Sequence, residues 1–555
     1  MKVNIHALVG TKLVIEIRRG SRLEVLEQDL RYKKRTSPQG YIEDCCYICI
    51  TMNTRHLYTC LLMLAMPLAM ICQERAATLP RIYIDTQGLA IGQDSRYPAT
   101  LSIVSPSKAD SVVLPPHPIG IKVRGKSAAQ YPKKSYSIEF VDSARQETDI
   151  SLLGMRNDDD WILDAMYVDH ARMRNRLCTD IWNAYNRIPH NTDEPKALNG
   201  TRGTFVEVIL DGQYNGLYCL TERIDRKQLK LKKYKDTYRS VSYKAVTWDN
   251  LMGYCSYDPM APTETLLWNG FEAEYPGTDS TAGWEYLKEF LELISAAHTS
   301  DETFYDEIHE HLHIDNLVDY TLFINAVYAP DNVAKNLYLS IYDVAHDRRF
   351  FFTPWDMDAT FGRTYDGTLI HRYAFSESVP FGNQLISRLW DEDALQFKQL
   401  LAQRWSALRL TTLSPDSVAA RIHAYQELFE SSGAFAREQA RWPELCADKL
   451  AEEVDFMTAW YARNVQVIDS VLAHTTATHP LADTSLPPGY TIQGDHLTVD
   501  TPHATVALYS LQGATLYSAT CPTVHSIVLP GKGVYILCIA IDGEIYTYKI
   551  VHTGR

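Results

Sequence analysis

The chain lacks several features that would classify it at once. Beyond residue 72 it has no C-x-x-C pair and no histidine at zinc-ligand spacing from a cysteine, which argues against a structural zinc knuckle. It has no excess of positive charge: 54 Lys and Arg against 68 Asp and Glu leave a net charge of −14, unlike a protein that coats nucleic acid. After Cys72 it has no apolar run long enough to span a bilayer. Nor does it have a biased composition. With 46% hydrophobic and 22% charged residues, wholesale disorder, collagen repeats and a coiled coil do not fit. What remains is a 555-residue chain, long enough for three to four folded domains at roughly 150 residues each.

The N-terminal 77 residues read as processing sequence. A basic stretch ending in Arg55 and His56 precedes sixteen mostly apolar residues, Leu57 to Cys72, and then polar Gln73, Glu74 and Arg75 and small Ala76 and Ala77. The run is short for a membrane span and contains Pro67, so residues 52–77 are expected to be a secretory signal peptide and 1–51 an over-extended start. Cys72 raises lipidation as a second reading, against which stands the bulky Ile71 before it. Six cysteines follow: Cys178, Cys219, Cys255, Cys446, Cys521 and Cys538. Export would permit disulfides, and buried free thiols are the alternative.

From Pro80 to Phe140, runs such as RIYIDT, TLSIVS, IGIKVRG and SYSIEF alternate with Gly and Pro and predict strands. Met173, Leu177, Ile181 and Ala184 recur at helical spacing behind Asp169, which predicts a helix carrying Arg172, Arg174 and Asn175. TFVEVIL and GLYCLTE around Asp211-Gly212 read as a hairpin. Residues 281–328 and 381–473 are helical in pattern, with a second hairpin between them, NLYLSIY and FFFTPWD. A Thr- and Pro-rich linker, 475–489, leads to short β runs over 490–555 that predict a small β-sandwich. The fold class expected is α+β.

Three clusters carry chemistry. Lys122, Arg124, Lys126, Lys133 and Lys134 lie within thirteen residues, on two strands joined by a Gly-containing turn. Alternate strand positions share a face, so some of these cations can converge on a polyanion; a solvated strand edge is the ordinary alternative. Asp331 and Asn336 form D-x-x-x-x-N just past a helix. Asp356 and Asp358, in PWDMD, end the hairpin's second strand. Phosphoryl transfer needs an acceptor for the hydroxyl proton, hard oxygen ligands for a divalent metal and a cation on the phosphates, and these clusters supply them in order. Taken singly, each Asp or Asn could be a turn former.

These blocks carry a resemblance. IKVRGKSAAQYPKKSYSIEF, DWILDAMYVDHARMRNRLCTDIW, FVEVILDGQYNGLYCLTERID, DNVAKNLYLSIY and FFFTPWDMDATFGRTY resemble, in order, the spore coat protein H (CotH-like) family of atypical secreted kinases, over about Leu79 to Ala473. The resemblance implies a highly diverged protein-kinase-like fold over 78–474, with an N-terminal β region at 78–120. It also implies use of ATP and Mg²⁺ or Mn²⁺ to phosphorylate Ser or Thr in a partner protein. Asp331 would match the catalytic Asp, Asn336 and Asp356 the metal ligands with Asp358 as helper, and Lys134, or else Lys133, the phosphate-binding Lys, assisted by Arg124. Glu222 would meet the adenine. The chain departs from ordinary kinases in having no G-x-G-x-x-G loop and no H-R-D before the catalytic Asp, and no helix-borne partner for the Lys is evident. Arg172 and Arg174 would face phosphate oxygens or brace the acidic loop Asp158 to Asp160.

LTVDTPHATVALYSLQGATLYSA, PGKGVYILCIA and YTYKIV resemble the sorting domain of proteins exported through the type IX system of Bacteroidetes. That implies delivery to the cell surface, outer membrane or medium, with the secretion machinery as a partner. A non-catalytic envelope or adhesion protein retaining a kinase-like fold is the alternative. A glycosidase using Asp356 and Asp358 is disfavoured, because both carboxylates come from one strand, about 6–7 Å apart, and not from opposite walls around a scissile bond.

Overall fold

The computed structural model describes residues 2–7, 12–19, 22–29, 78–105, 111–233, 239–247, 267–277, 283–370, 372–373, 382–391, 393–476, 490–493, 495–499, 504–510, 515–520, 525–541 and 544–552. The expected signal peptide and Cys72, most of the linker, Cys255 and Cys521 lie outside them. The chain divides into two units, Met1–Val471 and Leu472–Arg555. Among the described residues no helix is long and apolar enough to cross a membrane.

In the larger unit the strands expected over 80–140 do more than form hairpins. Arg81–Asp85, Tyr97–Ser105, Ser111–Arg124, Ser135–Phe140, Asp160–Asp164, Gly203–Leu210 and Gln213–Thr221 close into a seven-stranded barrel. Every seam is antiparallel except that between Arg81–Asp85 and Gly203–Leu210. The interior is filled by alternate residues of each strand, among them Ile82, Ile84, Leu101, Ile103, Ile119, Ile121, Ile138, Phe140, Trp161, Leu163, Val206, Val208 and Leu220. The same alternation turns Lys122 and Arg124 outward between buried Ile121 and Val123. At Asp211-Gly212 both residues have positive φ, 49° and 76°, the geometry of a type I′ turn, so the Asp-Gly hairpin forms as its residues dictate.

A second, five-stranded antiparallel sheet runs in the order Leu267–Trp268, Phe271–Tyr275, Val241–Ala245, Leu337–Ile341, Phe351–Pro354. Trp284–Ile294, Asp301–His311 and Ile314–Ala326 form the first helical block, and five helices between Gln384 and Thr476 the second. Three thiols, Cys178, Cys219 and Cys446, are free and buried, and burial pushes them to about 12, 12 and 11.

The strands Lys2–Ala7, Lys12–Arg19 and Arg22–Asp29 pair as a separate antiparallel sheet. The C-terminal unit consists of a three-stranded sheet, Tyr490–Gln493, His496–Val499 and His525–Val528, and a four-stranded one ordered Thr515–Thr520, Thr505–Ser510, Gly533–Ile541, Glu544–His552. Leu497, Val499 and Ile527 from the first and Val506, Leu508, Leu537 and Ile539 from the second share one buried cluster.

Candidate active site

The cleft is built where strand ends of the barrel and of the second sheet meet. Three neighbouring strands of the sheet deliver their ends to its floor. Asn336 donates its N–H to Ala245 O at 2.9 Å, and Trp355 donates to Asn336 O at 2.9 Å. Asn336 and Asp356 both take left-handed φ, 56° and 57°, costly for residues with a Cβ and held here by surrounding bonds. The buried amide of Asn332 supplies two of those bonds, donating to the carbonyls of Asn336 and Trp355 at 2.7 Å each. The Asn332 backbone carbonyl accepts from the Tyr320 hydroxyl at 2.6 Å.

A cleft of about 470 Å³ is lined by Arg124, Lys126, Lys133, Asp164, Lys244, Asp331, Asn336, Asp356 and Asp358, among others. The basic ribbon and the acidic clusters, some 200 residues apart in the chain, therefore share one cavity. Asp331 sits in the 3-10 turn Pro330–Val333, 2.7 Å from Lys335 Nζ. No Lys or Arg nitrogen lies within 4.0 Å of the Asp164, Asp356 or Asp358 carboxylates among the described residues. Enclosure raises the carboxyl pKa of both Asp356 and Asp358, and the negative charge of Asp164 and Asp331 adds to the rise. Asp356 keeps part of its surface open to the cleft. Asp164, Asp356 and Asp358 share the cleft with the Asn336 amide and offer hard oxygen atoms of the kind a divalent cation takes, although among the described residues their carboxylate oxygens do not close to within 4.8 Å of one another.

A family model described as CotH kinase protein matches residues 121–468, more than half of the chain. The chain belongs to the CotH kinase protein family. Inner spore coat protein H of Bacillus subtilis (strain 168) is 26% identical over 292 residues, which is 52% of this chain and 72% of that relative.

Against this CotH background, several residues sit elsewhere than the sequence suggested. Lys134 is outside the cleft, its Nζ bound to Ala129 O at 2.8 Å, because adjacent residues at the start of a strand point to opposite sides. Lys133 is the one that reaches the cleft wall, and it is fully buried. Its ammonium donates to Ala165 O at 2.9 Å, to Leu217 O at 2.5 Å and to Glu438 Oε1 at 2.7 Å. Glu438, on the helix Ala434–Arg441, is thus the helix-borne carboxylate that the sequence did not reveal. It also accepts from Arg172 Nε at 2.8 Å and Leu217 N at 2.8 Å. Burial pushes Lys133 down to about 8, with Arg172 adding to the push and Glu438 opposing it. Burial alone would raise Glu438, but its two cations hold it below the usual carboxylate range.

Glu222 does not face the cleft. It is buried, and its carboxylate is filled by Arg202 (N–H at 2.8 Å, Nη2 at 2.7 Å), the Arg156 N–H at 2.9 Å and Gln228 Nε2 at 3.1 Å. Arg172 precedes the helix Arg174–Tyr185, at φ 58°, and neither Arg172 nor Arg174 lines the cleft. Arg172 pairs with Glu438, whereas Arg174 binds Asp169 (2.5 Å) and Glu453 (2.7 Å). Asp169 does act at the helix start, accepting the N–H groups of Met173 and Arg174 at 2.6 Å each. Asn175 ties Asp164 to the acidic segment, donating to Asp164 Oδ2 at 2.8 Å and accepting from Met357 N at 3.0 Å. Asp149, Asp158 and Asp159 have carboxylate oxygens within 4.8 Å of one another, but Lys227 Nζ already occupies the group at 3.2, 2.8 and 2.9 Å.

Proposed function

We propose that the protein is a metal-dependent phosphotransferase of kinase-like fold that moves the γ-phosphoryl group of ATP onto a Ser or Thr hydroxyl of an exported or surface protein. One observation carries this reading. A single cleft is lined by an Asp in a turn, an amide and three carboxylates with no Lys or Arg nitrogen within 4.0 Å among the described residues, together with Arg124 and Lys244.

Asn336, Asp356, Asp358 and Asp164 would hold the divalent cation. When bound, it would neutralise charge on the phosphate oxygens. Asp331 orients the attacking hydroxyl and takes its proton at a carboxylate oxygen, and Lys335 Nζ lies 2.7 Å from that carboxylate. A side chamber of about 180 Å³ opens off the cleft at Arg124, Lys244 and Trp355 and has Tyr338 and Trp355 among its walls, with ring planes at 90°. Arg96, Lys122, Asp160, Arg223 and Glu274 also line this chamber; with Glu222 withdrawn, we assign the base to its Tyr338 and Trp355 side and the phosphates to the cleft. The signal-like segment at 52–77 and the sorting-like C-terminal unit support delivery outside the cytoplasm.

The test is γ-labelled ATP with the purified chain and a panel of candidate acceptor proteins, run with Asp331→Asn and Asp356→Asn. Asp331→Asn should keep metal-dependent nucleotide binding and lose about 10²–10⁴ in turnover. Asp356→Asn should lose the binding itself. Equal loss of binding in both variants refutes the division of roles.

A further inference from the structure

The nucleotide reading leaves open which cation meets the phosphates, and the bonding of Lys133 bears on it. An ammonium has three N–H donors, and Lys133 spends all three on Ala165 O, Leu217 O and Glu438 while fully buried. To reach a phosphate it would have to give up one of these three bonds and leave a buried acceptor unpaired.

Lys244 stands differently. It is carried on Val241–Ala245, where the register sets it beside Tyr338 and Glu272, one residue from the carbonyl that receives the Asn336 N–H. Its side chain borders both the cleft and the aromatic chamber. Its Nζ lies 5.7 Å from the Tyr338 ring centre and 5.9 Å from that of Trp355, so two aromatic faces flank the head group. No carboxylate lies within 4.0 Å of it among the described residues. Arg124, 5.8 Å from the Trp355 ring centre, shares the junction between the two cavities and likewise has no carboxylate partner at that range.

Resting on the nucleotide reading, we propose that Lys244, with Arg124, is the cation that binds the nucleotide's phosphates, and that Lys133 braces the cleft wall. Burial lowers the pKa of Lys244 ahead of any other effect, and an arriving polyanion would relieve that penalty. Lys244 then comes from the second sheet, on the same strand ends that place Asn336 and Asp356, while Arg124 and Asp164 come from the barrel.

The experiment measures binding of Mg²⁺–ATP and of adenosine by calorimetry on the full chain, with thermal unfolding alongside, for the parent, Lys244→Met, Lys244→Arg and Lys133→Met. Lys244→Met should weaken ATP about tenfold to a hundredfold more than it weakens adenosine, and not lower Tm. Lys244→Arg should recover part of the ATP affinity. Lys133→Met should lower Tm and, where folded, keep the parent's ratio of ATP to adenosine affinity. An unchanged ratio in Lys244→Met overturns the assignment, as does a collapsed ratio in folded Lys133→Met. A parent chain that binds neither ligand overturns the nucleotide reading as well. Should Lys133→Met not fold, the Lys244 pair still decides.

Discussion

Glu438→Gln is the sharpest structural perturbation, because one carboxylate serves Lys133 (2.7 Å), Arg172 (2.8 Å) and the Leu217 N–H (2.8 Å), all fully buried. The amide keeps the shape and removes the charge, leaving two buried cations without a counter-ion. Breaking a buried pair by removing one partner costs about 3–5 kcal/mol. That is a large share of the roughly 5–15 kcal/mol that holds a domain folded. All ten tryptophans precede residue 471, so tryptophan fluorescence in a urea titration reports the larger unit alone. Glu438→Gln should lower its unfolding free energy by about 3 kcal/mol or more. Adding Lys133→Met should restore part of that, since the second change removes one of the orphaned charges. A loss under about 1 kcal/mol, or a double variant that is simply additive, would refute the claim that this ion triad holds the cleft wall.

Other outcomes can be checked more simply. Burial holds His313 at about 4, below an ordinary 6.5, with Asp347 3.4 Å away. The unfolded chain therefore binds this proton first, so the stability the ring contributes above pH 6.5 is lost as pH falls from 6.5 toward 4. Urea titrations should show a fall of about 2–3 kcal/mol across that window, flattened by His313→Gln. Gly216 has φ 126°, and an added Cβ would lie 2.5 Å from Glu438 Oε2 and 3.0 Å from Lys133 Cε. Gly216→Ala should thus cost more than about 2 kcal/mol by the same assay, and near-parent stability would contradict the packing. Asn332→Ala removes both bonds that hold the Asn336 and Trp355 carbonyls; metal-dependent nucleotide binding should weaken about tenfold to a hundredfold, measured by calorimetry.

Local patterns were readable wherever neighbours in the chain decide the outcome. Alternation along IKVRG located a strand with Lys122 and Arg124 on its outer face, and Asp211-Gly212 announced its hairpin. Asp331, Asn336, Asp356 and Asp358 could be picked out because they flank strands in a recognisable order, and they line one cleft. Barrel closure was not legible, since it depends on Arg81–Asp85 pairing in parallel with Gly203–Leu210, more than a hundred residues on. Glu438 meets Lys133 across 305 positions, and nothing in AFAREQAR distinguishes it from a solvated glutamate. Lys244 was likewise invisible: an isolated lysine in VSYKA acquires meaning only from the strand that pairs beside it. For Lys133 and Lys134 the neighbours decided: Lys133 meets Ala165 O, Leu217 O and Glu438, all distant in the chain, whereas the Lys134 ammonium meets nearby Ala129 O.

The closed barrel also limits how another polypeptide can be gripped. A sheet that returns on itself exposes no row of unsatisfied amides, so a client chain cannot lengthen it by backbone pairing. On the second sheet the outer strand Phe351–Pro354 is sealed as well, its Phe352 backbone spoken for by the amides of Asn316 and Asn199. Recruitment at these places is therefore left to side chains and loops.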